Sequence, residues 1–314
     1  MEIAFNTSTS FVLLGIVEME KLKVLFIPLS LTIYLLVLLF NTTIIYVVLL
    51  DESLHRPMYT LIAFLLLNGM FESSTIFPKL VVDLLLSSEA ISRVGCFAQT
   101  FFVTLFAYCE ISTFTIMAYD MYVAVFHPLQ YPTLITNSLA LKLISGSLVF
   151  NISLILSGLF LSASIPICGS HVKNVFCDNM SILNLSCVDS SVSRLYGMVH
   201  FTIYLIFTVI VITYSYMRIL QICLKVSEDA CRKAIHTLVT HLLNFSFFLI
   251  TVLFIFIRYR LADTNLPLVC HIILSIAGLV LPPLLSPLVY GIRTQTLKRK
   301  VVKRLQIIKC VIHF

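Results

Sequence analysis

Seven long apolar segments, separated by short polar ones, dominate the pattern of the chain. They fall at about residues 24–50, 58–86, 97–126, 139–165, 195–223, 235–257 and 268–290. Each is long enough to cross the hydrocarbon core of a bilayer as an α-helix, which takes about 20 residues. Because backbone polar groups must be satisfied within lipid, runs of this length indicate helices rather than strands. The pattern predicts an all-α membrane protein, a seven-transmembrane helix bundle.

Composition agrees with this prediction. Of the 314 residues, 59% are hydrophobic and 11% are charged, whereas a water-soluble domain carries about 25% charged residues. Seven spans and short loops fill the chain, which leaves no room for a separate catalytic domain. We expect an extracellular N-terminus at 1–23, the seven-helix domain at 24–291 and a cytosolic amphipathic tail at 292–314.

The basic residues predict the orientation of the chain. Lys and Arg are more frequent on the side of the C-terminal tail, and such an excess marks the cytosolic side. Lys21 and Lys23 before the first span, with Asp51 and Glu52 after it, argue locally for the reverse. The whole chain favours a multi-pass plasma-membrane protein with its N-terminus outside. The net charge of +6 then reflects topology rather than nucleic-acid binding, because the basic residues flank apolar runs.

This orientation makes several modifications possible. Asn6 begins an Asn-Thr-Ser acceptor sequence for glycosylation on the outer side. Four cysteines share that side, where two disulfides are possible with three connectivities; they are Cys96, Cys168, Cys177 and Cys187. In the tail, an apolar stripe surrounded by basic residues predicts a helix that lies on membrane lipids; the stripe consists of Leu297, Val301, Leu305 and Ile308. Cys310 beyond it is a palmitoylation site or a free thiol, with neither favoured.

Ionisable residues within the spans are few, and such residues are expensive in lipid. They are Glu72, Lys79, Asp83, Glu110 and Asp120. Lys79 and Asp83 lie four apart near the outer end of one helix, which favours a local ion pair over a ligand site. A transporter usually has more such residues and an internal repeat, so transport of small molecules is the second hypothesis. No hydrolase, zinc-protease or nucleotide-binding motif occurs, so we expect no enzyme and no cofactor.

Local motifs, taken in order, resemble those of the odorant receptors, a branch of the rhodopsin-like G-protein-coupled receptors. No single motif is decisive, whereas their order along nearly the whole chain is highly specific. Two stretches, LLLN at 65–68 and FPKL at 77–80, look most like the fish members. The ordered motifs are FVLLG at 11–15, Asn41, LHRPMY at 54–59, MAYDMYVAV at 117–125, Ser215-Tyr216, Lys233-Ala234, His241-Leu242 and SPLVY at 286–290.

The resemblance implies a receptor that binds a small odorant and activates a heterotrimeric G protein of the stimulatory, olfactory type. It implies disulfides Cys96–Cys177 and Cys168–Cys187. Glu110 matches an interior acidic position, where a sodium ion or a polar network stabilises the resting state; a protonated Glu bonded to a neighbouring helix is equally possible. The implied switch and G-protein-coupling set is Glu110, Asp120, Met121, Tyr122, Tyr216, His241, Ser286, Pro287 and Tyr290.

Three positions depart from the family pattern. Met121 stands where the family has Arg after the third-helix Asp, and Met cannot replace a guanidinium charge. Ser286 replaces an Asn before Pro287, and Gly69 replaces a second-helix Asp. These departures predict weakened coupling, so a non-signalling receptor relic is a further hypothesis.

Helical facing, counted back from Asp120, predicts a ligand pocket in the outer half of the bundle. For Val103, packing against lipid or the core is as probable as ligand contact. A salt-bridged amine is disfavoured, because no Asp lies at the depth of the amine counter-ion; a mostly apolar or weakly polar odorant fits better. The predicted pocket residues are Val103, Thr104, Ala107, Tyr108, Tyr204, Val252 and Phe256.

Overall fold

A computed structural model gives the protein as a bundle of long helices. It describes residues 10–224, 227–260 and 268–312, with side chains at all of these positions except 229, 230, 233, 254, 256–260, 268–271, 305 and 307–312. The elements in chain order are β1 Ser10–Leu13, α1 Leu14–Glu20, α2 Lys23–Leu50, a 3₁₀ turn Glu52–Leu54, α3 Pro57–Leu86, β2 Ala90–Ser92, α4 Arg93–Phe126, α5 Tyr131–Leu134, α6 Asn137–Ala163, β3 His171–Val172, α7 Asn179–Leu183, α8 Ser191–Cys223, α9 Glu228–Arg260, α10 Leu268–Arg293 and α11 Gln295–Ile312.

Seven helices in the described part of the chain are long and apolar enough to span a membrane, namely α2, α3, α4, α6, α8, α9 and α10. This confirms the seven predicted spans. Polar residues mark several helix starts: the Ser92 side chain accepts a hydrogen bond from the Gly95 amide, and Thr136 accepts one from Leu139. The predicted C-terminal helix is present as α11. The boundaries of the three predicted parts stay a prediction.

Helix α4 lies at the centre of the bundle. It packs against α3, α6, α8 and α9, while α10 packs against α2, α3 and α9 on the other side. Buried apolar side chains of these helices form a continuous core. The bundle has two distinct ends, which we call the sheet end, where the strands lie, and the tail end, where α11 lies. Features described below are located by these two names.

The sheet end carries a small sheet that the sequence reading did not predict. The central strand β1 pairs antiparallel with β2, with Phe11 opposite Ile91, and parallel with β3, with Val12 opposite His171. Phe11 is fully buried. The segment assigned to a plain N-terminus therefore forms a strand and helix α1 that cover this end of the bundle.

Two disulfides constrain the long segment between α6 and α8: one ties it to α4, and the other closes a loop within the segment. Cys96, in the first turn of α4, bonds to Cys177, and Cys168 bonds to Cys187. Both Cys96 and Cys177 are fully buried. These are the two pairings that the family resemblance implies.

At the tail end, α11 packs against α2 and α10. Leu297 of the predicted apolar stripe is fully buried and Val301 packs against the core, whereas the side chains of Leu305, Ile308 and Cys310 lie outside those described. Lys300 Nζ lies 2.6 Å from Asp51 Oδ2 in the loop after α2. The hydrogen bond from Lys300 lowers the pKa of Asp51 to about 2. Since the pKa of Asp51 is depressed, the carboxylate stays charged at pH values below the ordinary Asp pKa. The ion pair is lost only as the pH falls through the depressed pKa.

Gly15 is a position where the sheet end tolerates no side chain. A Cβ added there would lie 2.6 Å from Val175 Cγ1 and 2.7 Å from the Asn174 carbonyl carbon. Overpacking of this kind costs about 1–3 kcal/mol. We therefore expect Gly15→Ala to lower the thermal unfolding midpoint of the purified protein in detergent. Gly146→Ala is the matched control, because a Cβ at that α6 position meets nothing within 4 Å; equal midpoints for the two variants would contradict the prediction.

Candidate functional site

A cavity of about 270 Å³ lies in the sheet half of the bundle. Helices α4, α6 and α8 form most of its wall, α9 and α10 contribute Val252, Ile255 and Leu279, and Phe176 and Met180 approach from the segment between α6 and α8. The volume lies near the lower end of the range of about 300–1,000 Å³ for ligand pockets. Its position and mostly apolar wall suit a small molecule.

Most of the predicted pocket residues line this cavity. Val103, Thr104, Ala107 and Tyr108 of α4 do so, and so does Val252 of α9. Ligand contact by these residues stays a prediction. The Phe256 side chain lies outside those described.

Tyr204, also predicted for the pocket, is not among the described residues that line this cavity, and ligand contact by it stays a prediction. Its ring stacks on Tyr108 at 5.1 Å between centroids, behind the cavity wall. One helical turn earlier on the same face of α8, His200 takes the position at the wall. On α8 the cavity wall thus lies one helical turn from the residue that helical facing predicts.

His200 gives the cavity a polar side. Its Nδ1 lies 3.0 Å from Tyr108 Oη, and the two rings stack at 5.6 Å between centroids. Tyr196, one turn before His200, stacks on it at 6.0 Å, and its hydroxyl lies 2.7 Å from Ser157 Oγ of α6. Sequence reasoning missed His200, although the spacing of Tyr196, His200 and Tyr204 by four residues places three polar rings on one helix face.

A hydrogen-bonded group beneath the cavity joins α4, α6 and α8. Asn151 Nδ2 donates to Ser112 Oγ at 2.9 Å, and Tyr204 Oη donates to Asn151 Oδ1 at 3.0 Å. Ser112 Oγ and Tyr204 Oη are 2.7 Å apart, which closes the triangle. Asn151 is fully buried. The triangle satisfies polar groups that would otherwise be unpaired inside the membrane.

Two acidic side chains lie buried in the middle of the bundle. Glu110 of α4 and Glu72 of α3 are close enough to interact electrostatically, and both are almost fully buried. Their oxygens are of the kind that a sodium ion binds, but the described residues contain no group of three acidic, His or Cys side chains able to hold a metal. Sodium near Glu110 stays a prediction. Lys79 and Asp83 form the expected ion pair on α3.

Gly69 brings α3 close to α10. A Cβ at this position would lie 3.1 Å from Pro283 Cβ and 3.2 Å from Pro283 Cα. Asn41 of α2 also bonds here, donating to the Pro283 carbonyl at 2.9 Å. The contact leaves little space at position 69 for the Asp that the family resemblance implies there.

Asp120 at the tail end has a partner outside the spans. Tyr131 Oη of α5 donates to Asp120 Oδ1 at 2.9 Å. Burial and the neighbouring Asp120 carboxylate raise the pKa of Tyr131, so its hydroxyl keeps its proton. Met121, next in sequence, is buried in the apolar core. The structure therefore satisfies Asp120 without a guanidinium group at position 121.

The other predicted switch residues lie in the tail half of the bundle. His241 Nδ1 of α9 lies 3.2 Å from Tyr290 Oη of α10, and Tyr290 is fully buried. Tyr216 is buried in the same core. Tyr122 stacks on Phe126 at 5.1 Å. Ser286 and Pro287 are buried along α10.

The chain is similar to known proteins over nearly its full length. Residues 30–307 match the family described as "Olfactory receptor". Human olfactory receptor 56A4 is 36% identical over 275 residues, covering 87% of each chain. Human olfactory receptor 52N5 is 32% identical over 304 residues, covering 96% of this chain and 94% of the other. The particular likeness to fish members stays a prediction, since these relatives are human.

Squid rhodopsin has the same fold, with a TM-score of 0.69 at 14% identity, covering 91% of this chain and 87% of that one. This agrees with the seven-helix architecture, and members of the matched family are signalling receptors rather than enzymes. The chain is therefore a multi-pass membrane protein that belongs to the olfactory receptor family of rhodopsin-like G-protein-coupled receptors.

Proposed function

We propose that the protein is an odorant receptor of the plasma membrane, with its sheet end outside and its tail end in the cytosol. It binds a small odorant in the cavity and activates a heterotrimeric G protein of the stimulatory, olfactory type. The observation that carries this proposal is the cavity of about 270 Å³ beside α4, whose wall combines apolar side chains with the bonded pair Tyr108 and His200.

The ligand is a small, mostly apolar molecule with one weakly polar group. The apolar wall favours hydrocarbon surface, while His200 offers one hydrogen-bonding edge. Asp178 also lines the cavity, but its carboxylate accepts hydrogen bonds from Asn174 Nδ2 at 3.0 Å and from the amide and hydroxyl of Ser181 at 2.9 and 2.7 Å. A carboxylate engaged in this way is a poor counter-ion for an amine, which supports the choice of a neutral odorant.

The mechanism is a shift in population between resting and active bundles. The ligand binds the active bundle more tightly, and α9 moves outward at the tail end to open a cleft for the G protein. The bond between His241 on α9 and Tyr290 on α10 is one contact that this movement must break or rearrange. The basic helix α11 borders the cleft.

A second candidate function is a receptor that binds ligand without signalling. Met121 supports it, because its apolar side chain is buried where the family places a charged Arg. The Asp120 carboxylate, satisfied by Tyr131, does not require that Arg for stability. Transport, the alternative from sequence, gains no support from the family to which the chain belongs.

Cells that express the full chain test the receptor function directly. A cyclic-AMP response to a panel of neutral odorants supports signalling. Odorant binding to purified protein without any cyclic-AMP response supports the non-signalling receptor. Uptake of odorant into vesicles that lack a G protein would instead favour transport.

His200→Phe tests the polar side of the cavity. Phe keeps a stacking ring but removes the hydrogen-bonding nitrogens, so alcohols and aldehydes should lose about ten-fold in potency, equivalent to one hydrogen bond. Hydrocarbons of matched length should keep theirs. Dose–response curves in the cyclic-AMP assay, or binding curves if signalling is absent, measure both series; an equal loss for both would argue against a polar contact at His200.

Met121→Arg tests whether position 121 weakens coupling. An Arg there is expected to raise ligand-driven cyclic-AMP output, because a guanidinium beside Asp120 can bind it bidentately and then reach the G protein. Met121→Leu is the volume-matched apolar control. Output should be normalised to surface protein, and equal output from wild type and Met121→Arg would refute weakened coupling at this position.

Tyr131→Phe tests the contact that satisfies Asp120. The variant removes one hydroxyl and leaves a buried acceptor with one hydrogen bond fewer, which costs about 1–3 kcal/mol. We expect a lower thermal unfolding midpoint in detergent. Tyr119→Phe is the control, because Tyr119 is 46% exposed on the outer face of α4. A midpoint as high as that of the control would show that the bond to Asp120 contributes nothing to stability.

A further inference from the structure

Two free cysteines meet at the tail end, where α8 ends and α9 begins. Cys223 is the last residue of α8, and Cys231 lies in the first turn of α9. Cys223 Sγ lies 3.9 Å from the carbonyl oxygen of Cys231. Neither is bonded to another cysteine.

We propose that Cys223 and Cys231 are a site of oxidative modification at which an intramolecular disulfide forms. The Cys223 thiol already lies against the backbone of Cys231, and only four residues separate the helices that carry the two cysteines, so closing the bond needs little movement of the chain. Cys109 provides the contrast: it is buried within the spans and lies 4.0 Å from Asn151 Nδ2, with no other thiol beside it among the described residues. A second cysteine close by is what distinguishes Cys223 and Cys231 from a buried cysteine, such as Cys109, that cannot form a disulfide.

The reaction with a small disulfide such as oxidised glutathione is balanced. Cys231 is the more exposed thiol, so its thiolate attacks first, breaks the glutathione disulfide, forms a mixed disulfide and releases one glutathione thiolate. The Cys223 thiolate then attacks the Cys231 sulfur and releases the second glutathione. The two protons from the cysteines pass to the two glutathione thiolates. The protein pair is oxidised, and one glutathione disulfide is reduced to two thiols.

The consequence for signalling rests on the proposed function. A bond between Cys223 and Cys231 joins the tail ends of α8 and α9. Outward movement of α9 separates these ends, so the disulfide holds the bundle in its resting arrangement. Because cytosolic thiols are normally kept reduced, the bond forms under oxidation and is reversed by thiols.

The crosslink is tested on the full chain in native membranes. Membranes are treated with oxidised glutathione, free thiols are blocked with N-ethylmaleimide, and the protein is digested with trypsin, which cleaves after Lys225 between the two cysteines. We expect a Cys223–Cys231 linked peptide that is lost on reduction. Cys223→Ser and Cys231→Ser should each abolish it, whereas Cys109→Ser should retain it. Recovery of the Cys96–Cys177 peptide without the new one, or of glutathione on Cys231 alone, would overturn the proposal.

The effect on signalling is measured in cells with a membrane-permeant oxidant and then dithiothreitol. The ligand response of wild type should fall severalfold and recover on reduction, while Cys231→Ser should respond equally in both states. A crosslink with an unchanged response overturns the restraint on α9. If the reduced wild type never responds, the proposed function fails, yet the peptide measurement still decides whether the disulfide forms.

Discussion

A polar side chain buried inside the spans is stabilised by a partner within the protein, because lipid offers none. The triangle of Ser112, Asn151 and Tyr204 provides such partners at the centre and thereby fixes three helices relative to one another. Asn68 of α3 bonds to the Phe106 carbonyl of α4 at 2.9 Å, which adds the fourth. Tyr108 of the cavity wall stacks on Tyr204 of this bonded layer, so the wall is held by hydrogen-bonded side chains behind it as well as by apolar packing. A pocket built in this way keeps its shape without a soluble domain around it.

The seven helices were predictable because their signal is local. A run of more than 20 apolar residues has one viable structure in lipid, and no long-range information is needed to recognise it. The sheet was not predictable in the same way. Its strands have two to four residues and come from three distant parts of the chain, so no single segment carries a periodic pattern. The C-terminal segment is intermediate in predictability. Its apolar stripe predicted helix α11, but nothing in the sequence predicted the ion pair between Lys300 and Asp51.

The candidate site likewise has features that local sequence predicts and features that depend on contacts between distant segments. Counting along α4 identified Val103, Thr104, Ala107 and Tyr108, because a regular helix fixes which residues share a face. On α8 the cavity wall lies one helical turn away from the predicted Tyr204, at His200, since the offset between two helices depends on how they pack rather than on either sequence alone. The hydrogen bond from Tyr131 to Asp120 could not be predicted for the same reason, because it joins α5 to α4 and depends on how the two helices pack. A single sequence thus indicates which side of a helix a residue lies on, but it says little about the axial offset between neighbouring helices.

Gly69 makes the close packing of α3 on α10 depend on the absence of a side chain. A side chain at this position presses on Pro283 at 3.1 Å, and a proline ring has no alternative rotamer with which to yield. An Asp at position 69 would therefore press on a neighbour that cannot turn away, and it would fit only with a compensating change on α10. Positions 69 and 283 are energetically coupled, so the effects of substitutions at the two positions should not simply add.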